Sequence, residues 1–142
     1  MGRAVHQPFE SKTASGVFTK ICDDMMESAA WQALSRSQRC LCFELKKKYR
    51  AKYSNKRFVS DNANDITMPK SEALKLYGEL RTFRQDIDKL IDCGFINLVS
   101  SGYNTREVNI FGFSDRWKKY GNADYKVPPA VKRPKRKPLA DS

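Results

Sequence analysis

This chain of 142 residues predicts an α+β fold in which a small helical core is followed by a β-hairpin. Three observations carry the prediction. Residues 71–93 have the spacing of two helices joined by a turn. Residues 95–113 have the pattern of two strands around a polar turn. Hydrophobic residues make up 40% of the chain, enough for one modest core in a single domain flanked by tails.

Residues 1–16 are polar and lack the apolar run of a secretion signal, so a flexible tail is expected there. Val17 to Cys22 alternates like a short strand, and MMESAAWQAL carries a short helical pattern with Met26, Ala30 and Trp31 inward. Ser35 and Gln38 form a capping box, and Leu41, Leu45 and Tyr49 follow at helical spacing, which predicts a helix over 36–52. Residues 53–66 read as a loop with a short strand at most. Pro69 and Ser71 open a helix that Gly78 ends.

Thr82 and Gln85 form a second capping-box pattern. Phe83, Ile87, Leu90 and Ile91 then make a clean apolar stripe, predicting a helix over 83–93 closed by a left-handed Gly94. Strands at 95–99 and 106–113 flank a turn at 100–105, and a short helix capped by Ser114 stops at Gly121. Four of the six prolines fall beyond residue 126, so 122–142 is expected as a basic, Pro-rich, disordered tail. The folded part, 17–121, thus has the outline of a winged helix-turn-helix: a three-helix core, a hairpin wing, an extra N-terminal strand and a C-terminal helix.

Charge says what such a domain binds. Lys and Arg number 27 against 16 Asp and Glu, a formal net charge of +11. A helix and a hairpin presented under a strong positive field suit a nucleic acid. The second helix of the pair fits a major groove about 12 Å wide. Its leading end offers Arg81, Thr82, Arg84 and Gln85, with Lys89 one turn on: Arg suits guanine, Gln suits adenine, and Thr suits a phosphate. Asp86, Asp88 and Asp92 on the same helix count against a uniformly basic face, and a solvated helix surface is the plain alternative. At the hairpin tip stand Asn104, Thr105 and Arg106, where Gly102 and Asn104 also serve turn geometry.

Two basic clusters add to this. Lys46, Lys47, Lys48, Arg50, Lys52, Lys56 and Arg57 run without an acid among them. Cations at a helix C-terminus suit its dipole, but seven exceed what capping requires and suit phosphates equally. Lys132, Arg133, Lys135, Arg136 and Lys137 in the tail could follow phosphates, direct nuclear import or only solubilise the chain.

Other classes find little support. The only histidine is His6, and no GxSxG, GxxxxGK[ST] or HExxH pattern occurs, so no enzymatic activity is expected. Cys40 and Cys42 form a CxC without further ligands, so neither metal nor cofactor is expected; the four cysteines are read as reduced and mostly buried. No segment offers the roughly 18 apolar residues of a membrane span, and the location expected is cytoplasmic. Trp31 and Trp117 fall in apolar patterns and read as core anchors rather than stacking platforms.

The segment Phe18–Tyr120 resembles small winged-helix proteins of bacterial phages, plasmids and conjugative elements. The likeness lies in SAAWQALSRSQRCLCFELKKKY, TFRQDIDKLIDCGFI and NIFGFSDRWKKYG. It implies an accessory or regulatory DNA-binding protein of replication, conjugative transfer or transcription control, with TFRQDIDKLIDCGFI as recognition helix and 100–106 as wing. The expected partner is double-stranded DNA, with other proteins of a replication or transfer complex beside it. A homodimer would suit paired half-sites, although no dimerisation helix stands out. A protein-interaction module on the same scaffold is the rival from another class.

Overall fold

Local signals set the helices, and the computed structural model describes residues 19–102 and 108–134. Two short helices come first, α1 (Asp23–Glu27) and α2 (Ala29–Gln32). Ser28 separates them: its Oγ accepts from the Trp31 N–H and donates to the Met25 carbonyl. Residues 19–22, expected in a strand, form none; Ile21 packs against the core and Cys22 stands at the N-cap position of α1 without a side-chain cap, while residues 17 and 18 lie outside the described residues.

The capping box of Ser35 and Gln38 opens α3 (Arg36–Lys46) with both reciprocal hydrogen bonds. The helix stops six residues short of the expected 52. Asn62 explains the stop, because its Oδ1 accepts from the Arg50 N–H while its Nδ2 donates to the Lys48 carbonyl. The chain then forms a hairpin, β1 (Ala51–Ser54) and β2 (Arg57–Asp61), where a loop was expected. Asn55 and Lys56 make its turn with φ of 50° and 63°, the left-handed pair of a two-residue turn that matches strand twist.

Next come β3 (Ile66–Thr67), α4 (Lys70–Tyr77) and α5 (Leu80–Asp92). Gly78, at φ 76°, ends α4 as expected. The expected capping box at Thr82 does not form. Helix α5 starts one turn earlier, with Glu79 at the N-cap position, and the Thr82 hydroxyl donates to the Glu79 carboxylate instead. Leu80 packs against the core, which draws the first turn inward. At the far end the N–H of Phe95 reaches the Leu90 carbonyl and that of Gly94 the Ile91 carbonyl, a Schellman closure around a left-handed glycine. A side chain on Gly94 would also stand 2.5 Å from the Trp117 backbone nitrogen.

Strands β4 (Ile96–Ser100) and β5 (Ile110–Phe113) complete a three-stranded antiparallel sheet ordered β3-β5-β4. Ile96 faces Phe113, Leu98 faces Phe111, and Ile66 pairs with Phe111 on the other side. The fully buried Leu41, Leu45, Ile87, Leu90, Ile91 and Ile96 join α3, α5 and the sheet in one core. Phe95 lies between two tryptophans, stacked on Trp117 and edge-on to Trp31. The expected helix after Ser114 is a single 3-10 turn, Arg116–Lys119.

Residues 122–134, expected as the start of a disordered tail, lie against this core. Val127 and Val131 pack on it, a second 3-10 turn spans Pro129–Val131, and the Tyr125 hydroxyl donates to the Asp92 carbonyl at 2.6 Å. Two of the cysteines are exposed (Cys22, Cys40) and two buried (Cys42, Cys93), all of them free, rather than mostly buried. No described helix is long and apolar enough to cross a membrane.

Candidate nucleic-acid interface

Helix α5 presents its apolar stripe inward as its spacing requires, with Phe83, Ile87, Leu90 and Ile91 buried. The opposite face starts with Arg81, Arg84 and Gln85, all exposed and with no side-chain partner among the described residues. Thr82 is half-buried and engaged with Glu79. Lys89 is half-buried near the Cys93 thiol, whose pKa burial raises and Lys89 lowers, so it contributes to the helix flank more than to its tip.

The aspartates divide. Asp86 is not on the outer face at all: it is 4% exposed and accepts hydrogen bonds from the Tyr77 hydroxyl (2.7 Å), the Ser37 hydroxyl (2.8 Å) and Gln38 Nε2 (3.3 Å). Burial, then the hydrogen bond to Asp86 and its charge, push the Tyr77 phenol well above its ordinary range, so it remains a donor. Asp88 is held in a two-pronged contact with Arg133, Nε to Oδ1 at 2.7 Å and Nη2 to Oδ2 at 2.8 Å. Asp88 stays partly open to solvent despite this pairing, and Asp92, exposed at the trailing end, is the aspartate of this helix with no ion pair or side-chain hydrogen bond among the described residues.

The signal for Asp86 was in the sequence. Positions 83, 86, 87, 90 and 91 follow i, i+3, i+4, i+7, i+8, which puts Asp86 on the apolar stripe and demands buried donors for it. A second residue that sequence reasoning missed is Arg116. Its guanidinium donates to the carbonyls of Ile91 and Ile96, to Asn97 Oδ1 and to the Tyr125 hydroxyl. A cation on the carbonyl end of α5 also complements the helix dipole.

The tip of the β4–β5 hairpin, with Asn104, Thr105 and Arg106, lies outside the described residues, as do Lys135, Arg136 and Lys137. The base of that hairpin is pinned by Gly102, whose N–H donates to Asn109 Oδ1 at 2.8 Å. Lys132 is exposed, while Arg133 serves Asp88.

The cations of 46–57 do not act as one patch. Lys46 sits 4.7 Å from the Phe113 ring centre, Lys47 pairs with Glu44, and Lys48 pairs with Glu72 at 2.7 Å. Arg50 donates to the carbonyls of Lys47 and Tyr49, closing the end of α3. The other three, Lys52, Lys56 and Arg57, ride on the β1–β2 hairpin, exposed and with no ion pair to a described residue. Of the two tryptophans, Trp31 is buried and Trp117 half-buried, so neither offers a free ring face. Among the described residues no group of three His, Cys, Asp or Glu could hold a metal.

No family model, curated protein or solved structure matches this chain.

Proposed function

We propose that this is a winged helix-turn-helix protein that binds double-stranded DNA, with α5 as recognition helix and the β4–β5 hairpin as wing. The three-helix core of α3, α4 and α5, followed at once by an antiparallel hairpin that is joined to β3, supports the fold assignment. Its role is binding rather than catalysis, in an accessory or regulatory capacity on particular sites, as in replication, transfer or transcription control of a mobile element.

One observation carries the DNA reading. Arg81, Arg84 and Gln85 stand free at the leading end of α5, while the two nearest aspartates are withdrawn, Asp86 into the core and Asp88 onto Arg133. The rival, a protein-docking module, rests on an acidic α5; Asp86 is buried and Asp88 is neutralised by Arg133, which leaves Asp92 as its main support.

A gel-shift titration against selected and random duplexes tests the reading. Specific binding should weaken steeply with added salt, because each phosphate contact releases counterions. Arg84→Ala should relax sequence preference. Affinity worse than about 10⁻⁴ M at moderate salt, weaker than ordinary non-specific binding, would refute it.

A further inference from the structure

Beyond its base, the β1–β2 hairpin buries almost none of its surface. Every residue of β2 is exposed, and in β1 only Ala51 is even partly covered. Tyr53 and Phe58 face each other across the strands, ring centres 6.0 Å apart and edge-on, with 67% and 57% of their surfaces open to solvent. Side chains alternate along a strand, so Lys52, Ser54 and Arg57 take the face opposite the rings, and Lys56 stands at the turn.

The arm also joins the sheet at a different place from the wing. Its base is tied to Phe113, whose N–H donates to the Ala63 carbonyl and whose ring meets Tyr49. The wing leaves from the other end of the same strand, at Ile110, which faces Ser100. Sheet register therefore puts the two hairpins at opposite ends of β5.

We propose that this arm is a second nucleic-acid site, one that takes single-stranded nucleic acid by stacking unpaired bases on Tyr53 and Phe58. Lys52, Lys56 and Arg57 meet the flanking phosphates. A ribbon two strands wide, about 5 Å between strands, lets long cationic side chains reach round its edges to the backbone of a stacked nucleotide. Duplex DNA has no free base face to offer these rings. A second copy of the chain is disfavoured by charge, since the only acid between residues 50 and 61 is Asp61, which already accepts from Tyr49 and Ala63. The site is independent of duplex binding by α5, and the two are separable by mutation.

The test is fluorescence anisotropy of the full chain with labelled oligo(dT) and, in a parallel arm, oligo(rU), which distinguishes DNA from RNA as the source of the strand. Tyr53→Ala and Phe58→Ala should each weaken binding about tenfold. Replacing Lys52, Lys56 and Arg57 together by Gln should lower the salt slope by about two. Arg84→Ala should leave oligonucleotide binding unchanged. Phe58→Trp keeps a stacking ring; it should bind as the native chain does and lose emission on binding, which preserves the test if the alanine variants fold poorly. The proposal is overturned if neither oligonucleotide binds at low salt or if the ring variants bind as before. Loss of single-strand binding in Arg84→Ala would move the strand to α5, and a dimer that the ring variants dissolve in sedimentation would make the arm a self-association device.

Discussion

The hydroxyl of Tyr77 donates to Asp86 Oδ2 at 2.7 Å, and this contact joins α4 to α5 beneath the proposed recognition surface. Ser37 and Gln38 bring α3 to the same carboxylate. Three helices thus converge on one buried acid, and the orientation of α5 depends on it. A buried carboxylate is tolerated only while its donors remain.

Removing either partner should therefore cost more than a surface change. Tyr77→Phe leaves the carboxylate short of its closest donor and should cost about 1.5–3 kcal/mol. Asp86→Ala strands three donors and should cost a comparable amount, and the double variant should cost less than the two single effects added together. Urea unfolding of the four proteins reads this directly; strict additivity would show that the two groups are not coupled.

Burial of Tyr77, reinforced by the same contact, predicts an alkaline limb. The Tyr77 phenol ionises in the folded chain only above its ordinary value of 10.0. Its contribution to stability is complete below about pH 10 and falls as pH rises beyond it, because the unfolded chain gives up the proton first. Stability measured from pH 8 to pH 11 by denaturant unfolding should decline on the alkaline side, and Tyr77→Phe should flatten that decline. An identical decline in both proteins would place its origin elsewhere.

Arg133 and Asp88 make a separate prediction about binding. The pair is partly exposed, so its loss should change stability by no more than about 1 kcal/mol. Arg133→Ala, however, uncovers a carboxylate on α5, and duplex affinity should fall by more than one lost charge explains. Adding Asp88→Asn should restore most of it. If the double variant binds no better than Arg133→Ala, the arginine contacts DNA itself rather than masking Asp88.

Much of this architecture was legible in the sequence. The apolar stripe of α5, the left-handed glycines at 78 and 94 and the Ser35 capping box are all short-range signals, and each formed; the strand pair after Gly94 also formed, although its second strand starts only at Ile110 rather than at 106. What escaped depends on partners distant in sequence. Residues 51–61 have no buried face, so no alternation marked them as strands, and the Leu41–Leu45–Tyr49 spacing carried the helix too far. Its stop is made by Asn62, beyond the far end of the hairpin. Helix α5 opens at Leu80 because tertiary packing outweighs the local preference of Thr82. Arg133 reads as a free tail cation in the sequence, since nothing local pairs it with Asp88, 45 residues earlier.

The central claim is that the leading end of α5 meets the duplex, and site-specific photo-cross-linking tests it most directly. A photo-reactive side chain at Gln85 stands in the first turns of α5. One at Lys119 lies on the turn that packs beside its other end, where Trp117 bonds to Gly94. With a bound duplex, the probe at 85 should cross-link to bases and the probe at 119 should not. Cross-links from 119 alone, or from neither position while the duplex is demonstrably bound, would contradict the account.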